Sequence, residues 1–230
     1  MIISHKHKFI FICNGKMGTS SIEAALGAEQ EGEEYEIGVS GLYHKKHVPP
    51  AVVRAQLGPE VWDRYFTFCF VRNPWDWFVS QHFWNQKPAP VSKRKLVQQP
   101  VQLLLDYRAK QEKEAELRSL ETLAPSDIHD TYEMLRQYRG RYEAESLFQH
   151  VYTHDASGNQ IVDFIGRFER LGEDFEQILD HINVDAELPH VNATRHRDYR
   201  SYFTPETTDL VAELYQEDIE RFGYETDRPT

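Results

Sequence analysis

The chain has 230 residues, 40% of them hydrophobic, and this length and composition predict one globular domain with a sizeable core. Its formal net charge of −11 argues against nonspecific nucleic-acid binding, which needs a basic surface. No apolar run reaches transmembrane length, so stable membrane insertion is not expected.

The first predicted element passes from a strand through a glycine-containing loop into a helix, over residues 9–26. Apolar residues 9–13 predict a buried strand, and the residues after the loop favour a helix. The loop contains Gly15, Lys16 and Gly18, and three hydroxyl residues follow it. Glycines let the backbone approach a ligand, while N–H groups and the helix dipole attract an anion. The loop therefore predicts a phosphate-binding site, in which the lysine precedes the last glycine instead of following it as in a Walker A loop.

A second anion site is predicted where the next strand ends. This strand covers residues 65–71 and is followed directly by Arg72. Asn73 and Pro74 are typical of the N-cap and first position of a helix, and this aromatic-rich helix carries Ser80. A cation at a strand end beside a helix N-terminus favours an anion, although a salt bridge or a carbonyl cap would explain Arg72 equally well. Two such sites on successive strand–helix turns suit a nucleotide phosphorylated at two positions.

The middle of the chain, residues 86–145, has a different composition. It is rich in Lys, Arg, Glu and Gln, and its pattern is mainly helical from about Val101 onward. Alternating charges of this kind predict a solvated helical face. The functional alternative is a lid or acceptor-binding insertion mounted on the core. Because no repeat or low-complexity linker interrupts the chain, we expect a single domain over residues 1–230.

The last third of the chain contains one more strand and two helices. The strand is predicted over 161–168 and the first helix over about 173–182. Thr204 and Pro205 open a long C-terminal helix that ends at Gly223. Strands followed by helices predict an α/β fold with a central, mostly parallel sheet flanked by helices. Ligands of such sheets bind at the carboxyl ends of the strands, where both predicted anion sites lie.

The cysteines and the first residues of the chain indicate in which cellular compartment the protein is found. Cys13 and Cys69, the only cysteines, lie in apolar strand-like runs and are expected to be buried free thiols in a reducing compartment. The chain enters a strand without a signal-peptide pattern. Together these features predict a cytoplasmic protein.

Four segments together resemble the motif series of sulfotransferases that use 3′-phosphoadenosine-5′-phosphosulfate (PAPS), in particular the carbohydrate sulfotransferase branch. They are GKMGTSS, FCFVRNPWDWFVS, VDFIGRFERLGEDF and NATRHRDYRSYFTPE…FGYE. The resemblance spans roughly residues 9–84 and 147–225, and its most specific part is the eight-residue spacing from Arg72 to Ser80. It implies a P-loop-like three-layer fold with a helical insertion in the middle. One departure is Gly15, since proline commonly precedes the lysine in this family.

The resemblance also implies the donor-binding residues. The 3′-phosphate of PAPS would be held by Arg72 and Ser80. The family completes its donor site from a late basic loop, which here offers Arg195, Tyr199 and Arg200, although pairing of the arginines with surface carboxylates is an equally good interpretation. The 5′-phosphosulfate would be bound by Lys16, Met17, Gly18, Thr19, Ser20 and Ser21.

The implied reaction is an in-line transfer of a sulfuryl group from PAPS to an acceptor hydroxyl, with adenosine 3′,5′-bisphosphate as the product. A lysine ammonium beside the leaving oxygen stabilises the transition state, so Lys16 is a predicted catalytic residue. The family commonly carries a histidine before a short apolar stretch at the position of His47, which is the predicted general base. His44 is a second candidate, and an ordinary surface or core-edge histidine is the alternative for both. No metal is expected, because the bisphosphate is already a good leaving group and no acidic residue closes the second strand.

Two other functions remain open at this point. One is a P-loop-type kinase acting on a small molecule, which would need magnesium and prefer ATP. The other is a non-catalytic nucleotide-binding protein that retains the phosphate-binding loop. The expected partner is a small-molecule or carbohydrate acceptor, and a lipid or phenolic alcohol is also compatible. The sequence does not indicate the oligomeric state.

Overall fold

The computed structural model describes residues 1–30, 47–85, 148–191 and 197–229. The charged middle segment, His44 and Arg195 lie outside these described residues. Within them the strands are β1 (Ile2–Ser4), β2 (Phe9–Phe11), β3 (Phe66–Val71) and β4 (Phe164–Arg167). The helices are α1 (Thr19–Leu26), α2 (Pro50–Leu57), α3 (Pro59–Trp62), α4 (Pro74–Asn85), α5 (Leu171–Ile182), α6 (Pro205–Leu214) and α7 (Gln216–Phe222).

The four strands form one sheet in the order β1-β2-β3-β4. β1 runs antiparallel to β2, whereas β2, β3 and β4 are parallel to one another. Phe68 pairs with Phe11 on one side and with Phe164 on the other, which fixes the register across the three parallel strands. Their carboxyl ends therefore share one edge of the sheet. The predicted α/β fold with a mostly parallel sheet is confirmed for the described residues.

Helices cover both faces of this sheet, which is why β2 is apolar throughout. Phe9 and Phe11 belong to one buried cluster, which also contains residues of α1, α4, α5, α6 and α7. Ile10 and Ile12 belong to the other cluster, packed with Val53 of α2 and with α3. Successive residues of a strand point to opposite faces, so this alternation separates the two layers of packing.

Several predicted elements have different bounds in the structure; β2, for example, ends at residue 11 instead of 13, and β3 begins at 66 instead of 65. β4 begins at residue 164 instead of 161, because the Asp163 carboxylate accepts hydrogen bonds from both the N–H and the hydroxyl of Thr67, each at 2.8 Å. The single long C-terminal helix is divided into α6 and α7 at Tyr215. The Tyr215 ring is buried, with ring centroids 5.6 Å from Trp77 and 5.4 Å from Phe148. Core packing of this side chain overrides the helical pattern of the sequence.

Three predicted helix ends are confirmed. The Asn73 side chain accepts hydrogen bonds from the N–H groups of Trp75 and Asp76 at 3.0 and 3.2 Å, and so caps α4. Thr204 caps α6 in a capping box, and Gly223 ends α7 with a left-handed φ of 67°. Of these caps, Asn73 sets where the chain passes from β3 into the following helix.

The edge strand β4 packs closely on β3 at Gly166. A Cβ added at this glycine would lie 2.4 Å from a ring carbon of Phe70, a distance that real contacts do not reach. The glycine therefore gives the large aromatic residue of β3 its space in the core.

We expect Gly166→Ala to destabilise the protein by roughly 1–3 kcal/mol, because the added methyl group overpacks the core. The matched control is Gly172→Ala in α5, where the added Cβ meets nothing within 4 Å. This change should be neutral or stabilise the helix by up to about 1 kcal/mol. Urea unfolding of both variants measures the difference, and equal stabilities would contradict the assigned packing.

Candidate anion-binding site

The loop between β2 and α1 contains two residues with left-handed backbone. Lys16 has a φ of 68° and Gly18, the N-cap of α1, has a φ of 72°. Such values are uncommon for residues other than glycine. Gly18 also has no room for a side chain, because a Cβ there would lie 2.6 Å from Leu171 at the start of α5. Backbone conformation and close packing both require glycine at this turn.

Two consecutive carbonyl groups of this loop are held by donors from the β3–α4 unit. The indole N–H of Trp77 donates to the carbonyl of Gly15 at 3.0 Å. The guanidinium Nη1 of Arg72 donates to the carbonyl of Lys16 at 3.1 Å. A carbonyl oxygen repels an anion, so engaging these two oxygens with donors suits a loop that binds one.

Arg72 lies directly after β3 and is only 5% exposed. Its Nε donates to Asp76 at 2.8 Å, and its guanidinium carbon lies 4.0 Å from the centroid of the Phe168 ring. Both the salt bridge and the carbonyl cap considered from the sequence are therefore present. They use two of the five guanidinium N–H groups, and the other three have no hydrogen-bond partner among the described residues. Arg72 can hold the loop and still donate to a ligand.

Ser80, the second predicted residue of this site, is buried at 1% exposure on α4. It lies four residues after Asp76 and therefore one turn further along the same helix face. The helix thus presents the partner of Arg72 and the serine hydroxyl on one side.

The predicted loop residues differ in what they can offer a ligand. Met17 is completely buried in the core, so only its backbone is available. Thr19 and Ser20 are partly exposed in the first turn of α1. Ser21 is buried, and its hydroxyl oxygen accepts a hydrogen bond from the N–H of Val191 at 3.1 Å. That contact ties the start of α1 to the chain before residue 192.

His47 lies against the same loop. Its Nδ1 is 3.0 Å from the carbonyl oxygen of Cys13, so Nδ1 carries the proton and Nε2 is the basic nitrogen. A Cβ built at Gly15 would lie 3.9 Å from both Nε2 and Cε1 of this ring. The structure therefore brings the predicted base and the predicted phosphate loop together.

The segment 197–202, which follows the last strand and helix α5, contacts the site through Tyr199. Its hydroxyl accepts a hydrogen bond from the Asn73 side chain at 3.2 Å and donates to the carbonyl of Asp227 at 3.0 Å. Burial raises the pKa of Tyr199 to about 12, so this hydroxyl stays protonated. Arg200 is exposed, stacks on the Tyr199 ring at 4.6 Å and lies 3.3 Å from the Asp198 carboxylate. In this structure Arg200 therefore pairs with a surface carboxylate.

Arg167 and Glu169, at the end of β4, bind different partners and do not form an ion pair with each other. Glu169 accepts hydrogen bonds from the Asn73 N–H at 2.6 Å and from the Tyr224 hydroxyl at 3.0 Å. Arg167 donates to the carbonyl of Phe222, and its guanidinium lies 4.7 Å from the Tyr224 ring centroid. Both side chains connect the ends of the parallel strands to the C-terminal segment.

The sequence does not reveal a buried hydrogen-bond network that lies next to Arg72. Asp218 on α7 is fully buried and accepts hydrogen bonds from the N–H groups of Gln149 and His150, both at 2.9 Å. The His150 Nδ1 lies 2.6 Å from the same carboxylate. These residues are 68 or more positions apart, so no local pattern announces the contact. Asp76 is different, because an acidic residue four positions after Arg72 is a recognisable ion-pair spacing.

The pKa of His150 responds to this carboxylate. Burial by itself would lower the pKa, but the hydrogen bond and the negative charge of Asp218 raise it above the ordinary value, with a further contribution from Glu217. Arg221 opposes the shift. The neighbouring His154 has a lowered pKa, because of its burial and the positive charges of Arg221 and His150.

The part of the chain that the structure describes contains no cluster of three or more His, Cys, Asp or Glu side chains suited to a metal ion. It also contains no helix of the length and hydrophobicity that a membrane span requires. Both findings concern the described ranges alone.

Comparison with known proteins gives one match. A family model with the description "Sulfotransferase family" matches residues 1–225, which is nearly the whole chain. The chain matches no curated protein and no solved structure. The family model covers both strand ends described above and the late segment that reaches them.

We expect the free energy of unfolding to contain a pH-dependent contribution from His150. Its pKa is raised in the folded protein, so the contribution is fully present below the unfolded pKa of about 6.5 and is lost as the pH rises through the folded value. The difference in unfolding free energy between the wild type and His150→Gln should therefore shrink with increasing pH. Urea unfolding between about pH 5.5 and 9 measures it, with the exposed His190→Gln as control. A difference that does not change with pH would contradict the assigned pair.

Proposed function

Because the chain belongs to the sulfotransferase family, we propose that it transfers a sulfuryl group from PAPS to an acceptor hydroxyl. One observation carries this proposal: the guanidinium of Arg72, at the end of β3, donates to the carbonyl of Lys16 in the loop after β2. The two anion sites expected from the sequence are therefore neighbours at one edge of the sheet. A nucleotide with phosphate groups on both the 3′ and 5′ positions fits such a pair.

The residues present fit this donor. The guanidinium of Arg72 keeps three N–H groups without a partner among the described residues, which suits the several acceptor oxygens of a 3′-phosphate. Gly18, with its left-handed φ of 72°, lets the loop turn into α1, and the helix dipole at this N-terminus favours a 5′-phosphosulfate. The proposed binding set is the loop from Lys16 to Ser21, Arg72 and Ser80, with Tyr199, Arg195 and Arg200 from the late segment.

PAPS supplies an electrophilic sulfuryl group and a phosphate leaving group. In the transfer, a bond forms between the acceptor oxygen and sulfur, and the bond between sulfur and the 5′-phosphate oxygen breaks. The Lys16 ammonium stabilises the negative charge that develops on that leaving oxygen. The products are a sulfate ester and adenosine 3′,5′-bisphosphate.

His47 accepts the proton of the acceptor hydroxyl at Nε2. The carbonyl of Cys13 supports this role, because it binds the Nδ1 proton and so keeps the basic nitrogen on the other side of the ring. The protonated ring then returns the proton to solvent. We propose a sugar hydroxyl or another small-molecule or lipid alcohol as the acceptor class.

Replacing Lys16 with Ala should lower the rate of sulfuryl transfer by about 10²–10³, because one preorganised donor to the leaving oxygen is lost. The measurement is transfer of labelled sulfate from PAPS across a panel of sugar, phenolic and lipid alcohols. Lys8→Ala is the matched control, since Lys8 also has a left-handed φ, 53°, but lies before β2 at the opposite edge of the sheet. This control should leave the transfer rate unchanged.

A thermal-shift assay separates the proposed function from its rivals. PAPS and adenosine 3′,5′-bisphosphate should stabilise the wild type without added metal. Stabilisation by ATP with Mg²⁺ alone would indicate a kinase, and stabilisation by the bisphosphate without transfer to any acceptor would indicate a non-catalytic binding protein. If the Lys16→Ala variant transferred sulfuryl groups at the wild-type rate, Lys16 would not be a catalytic residue.

We expect His47→Gln to reduce kcat by about 10²–10⁴ and to leave the affinity for adenosine 3′,5′-bisphosphate unchanged, because a general base acts on the acceptor. The variant should also lose the rise of kcat with pH that the imidazole produces in the wild type. His5→Gln is the control, since His5 lies in the turn between β1 and β2 and contacts Tyr65. An unaltered pH profile in His47→Gln would exclude this residue as the base.

A further inference from the structure

Arg72 is the first residue after β3, and its backbone is held by a side chain that is distant in the sequence. The last pair of the β3–β4 ladder joins Val71 to Arg167, so Arg72 lies beyond the regular pairing. In its place, the Oε1 of Gln149 accepts from the Arg72 N–H at 2.7 Å, and the Nε2 of Gln149 donates to the Arg72 carbonyl at 2.8 Å. One amide side chain thus binds both backbone groups of a single residue, as a neighbouring strand would.

Gln149 is itself fixed. It is 1% exposed, and its own N–H donates to the buried Asp218 of α7 at 2.9 Å. The preceding residue, Phe148, packs in the core cluster. A buried hydrogen-bond network in which each member is satisfied is rigid, and removal of one partner leaves buried polar groups without hydrogen bonds.

This network has a consequence for the guanidinium group. A strand-end arginine with an unpaired backbone could rotate about φ and ψ, and each rotation would move the tip of its long side chain. With both backbone groups held, only the side-chain torsions remain, and Asp76 and Phe168 restrict those. Binding to a group that is already in place avoids the cost of ordering it.

We propose that Gln149 is a positioning residue that holds Arg72 for recognition of the 3′-phosphate. The inference rests on the proposed function, because it assigns the ligand of Arg72. Gln149 acts through the backbone of Arg72 and is not itself expected to touch the nucleotide.

The test compares two ligands, adenosine 3′,5′-bisphosphate and AMP, which lacks the 3′-phosphate. In Gln149→Met, which keeps the side-chain length but has no amide, the affinity for the bisphosphate should fall about tenfold, while the affinity for AMP stays within about twofold. Isothermal titration calorimetry gives both dissociation constants. Gln160→Met is the matched control, since Gln160 also donates to a backbone carbonyl, that of Val162 at 2.8 Å, away from Arg72. It should leave both affinities unchanged.

A second variant adds a readout that a purely structural role would not change. In Gln149→Glu, the ionised carboxylate can accept from the Arg72 N–H but cannot donate to the Arg72 carbonyl, whereas the protonated carboxyl group can do both. The preference of this variant for adenosine 3′,5′-bisphosphate over AMP should therefore return toward that of the wild type, measured at the same pH, as the pH is lowered. This variant decides the question if Gln149→Met does not fold.

The outcomes separate the two proposals. If the wild type binds AMP as tightly as the bisphosphate, the 3′-phosphate site is absent, and the proposed function fails together with the inference. If the wild type prefers the bisphosphate but folded Gln149→Met keeps the same ratio, or Gln149→Glu shows no recovery at low pH, the positioning role is overturned while the proposed function stands. If Gln149→Met lowered the affinities for both ligands by the same factor, the positioning role would likewise be overturned.

Discussion

The contact between the Arg72 guanidinium and the carbonyl of Lys16 joins two turns that are 56 residues apart in the sequence. It depends on the parallel arrangement of β2 and β3, because only parallel strands deliver both turns to the same edge of the sheet. Asp76, which accepts from its Nε, and the Phe168 ring, over which its guanidinium lies, hold the arginine side chain in position for this contact. The same loop is contacted by Trp77 of α4 at the carbonyl of Gly15 and by His47 at the carbonyl of Cys13.

The polar groups around the contact between Arg72 and Lys16 form hydrogen bonds with one another. Asn73 illustrates the arrangement, since its side chain caps α4 and binds Tyr199, while its N–H binds Glu169. The carboxylate of Glu169 then binds Tyr224 near the end of the described chain. The carboxylates near Arg72 are thus held in fixed places, Glu169 by Asn73 and Tyr224 and Asp76 by Arg72 itself.

Local patterns allowed the sheet, the two turns and the helix caps to be predicted, because each depends on residues that are close in sequence. The Asn73–Pro74 start of α4 and the left-handed glycine at 223 are examples. The break at Tyr215 was not predictable, since it follows from packing against Trp77 and Phe148. The same applies to the site. Lys16 lies in a recognisable loop and Arg72 and Ser80 have a recognisable spacing, whereas Gln149 and Asp218 enter through tertiary contacts that no short motif encodes.

The dependence of the site on α7 has a consequence for biosynthesis. Asp218 and Tyr224 make hydrogen bonds that reach back 69 and 55 residues, and Tyr199 reaches back 126 residues to Asn73. A nascent chain emerging from the ribosome could form the β2 loop and β3 early, but Gln149, which holds the backbone of Arg72, would lack its bond to Asp218 until α7 had left the exit tunnel. Contacts of such sequence separation are also slow to form. A translation product that lacks α7 would leave the buried N–H groups of Gln149 and His150 without the Asp218 carboxylate, and so would lose part of the network next to Arg72.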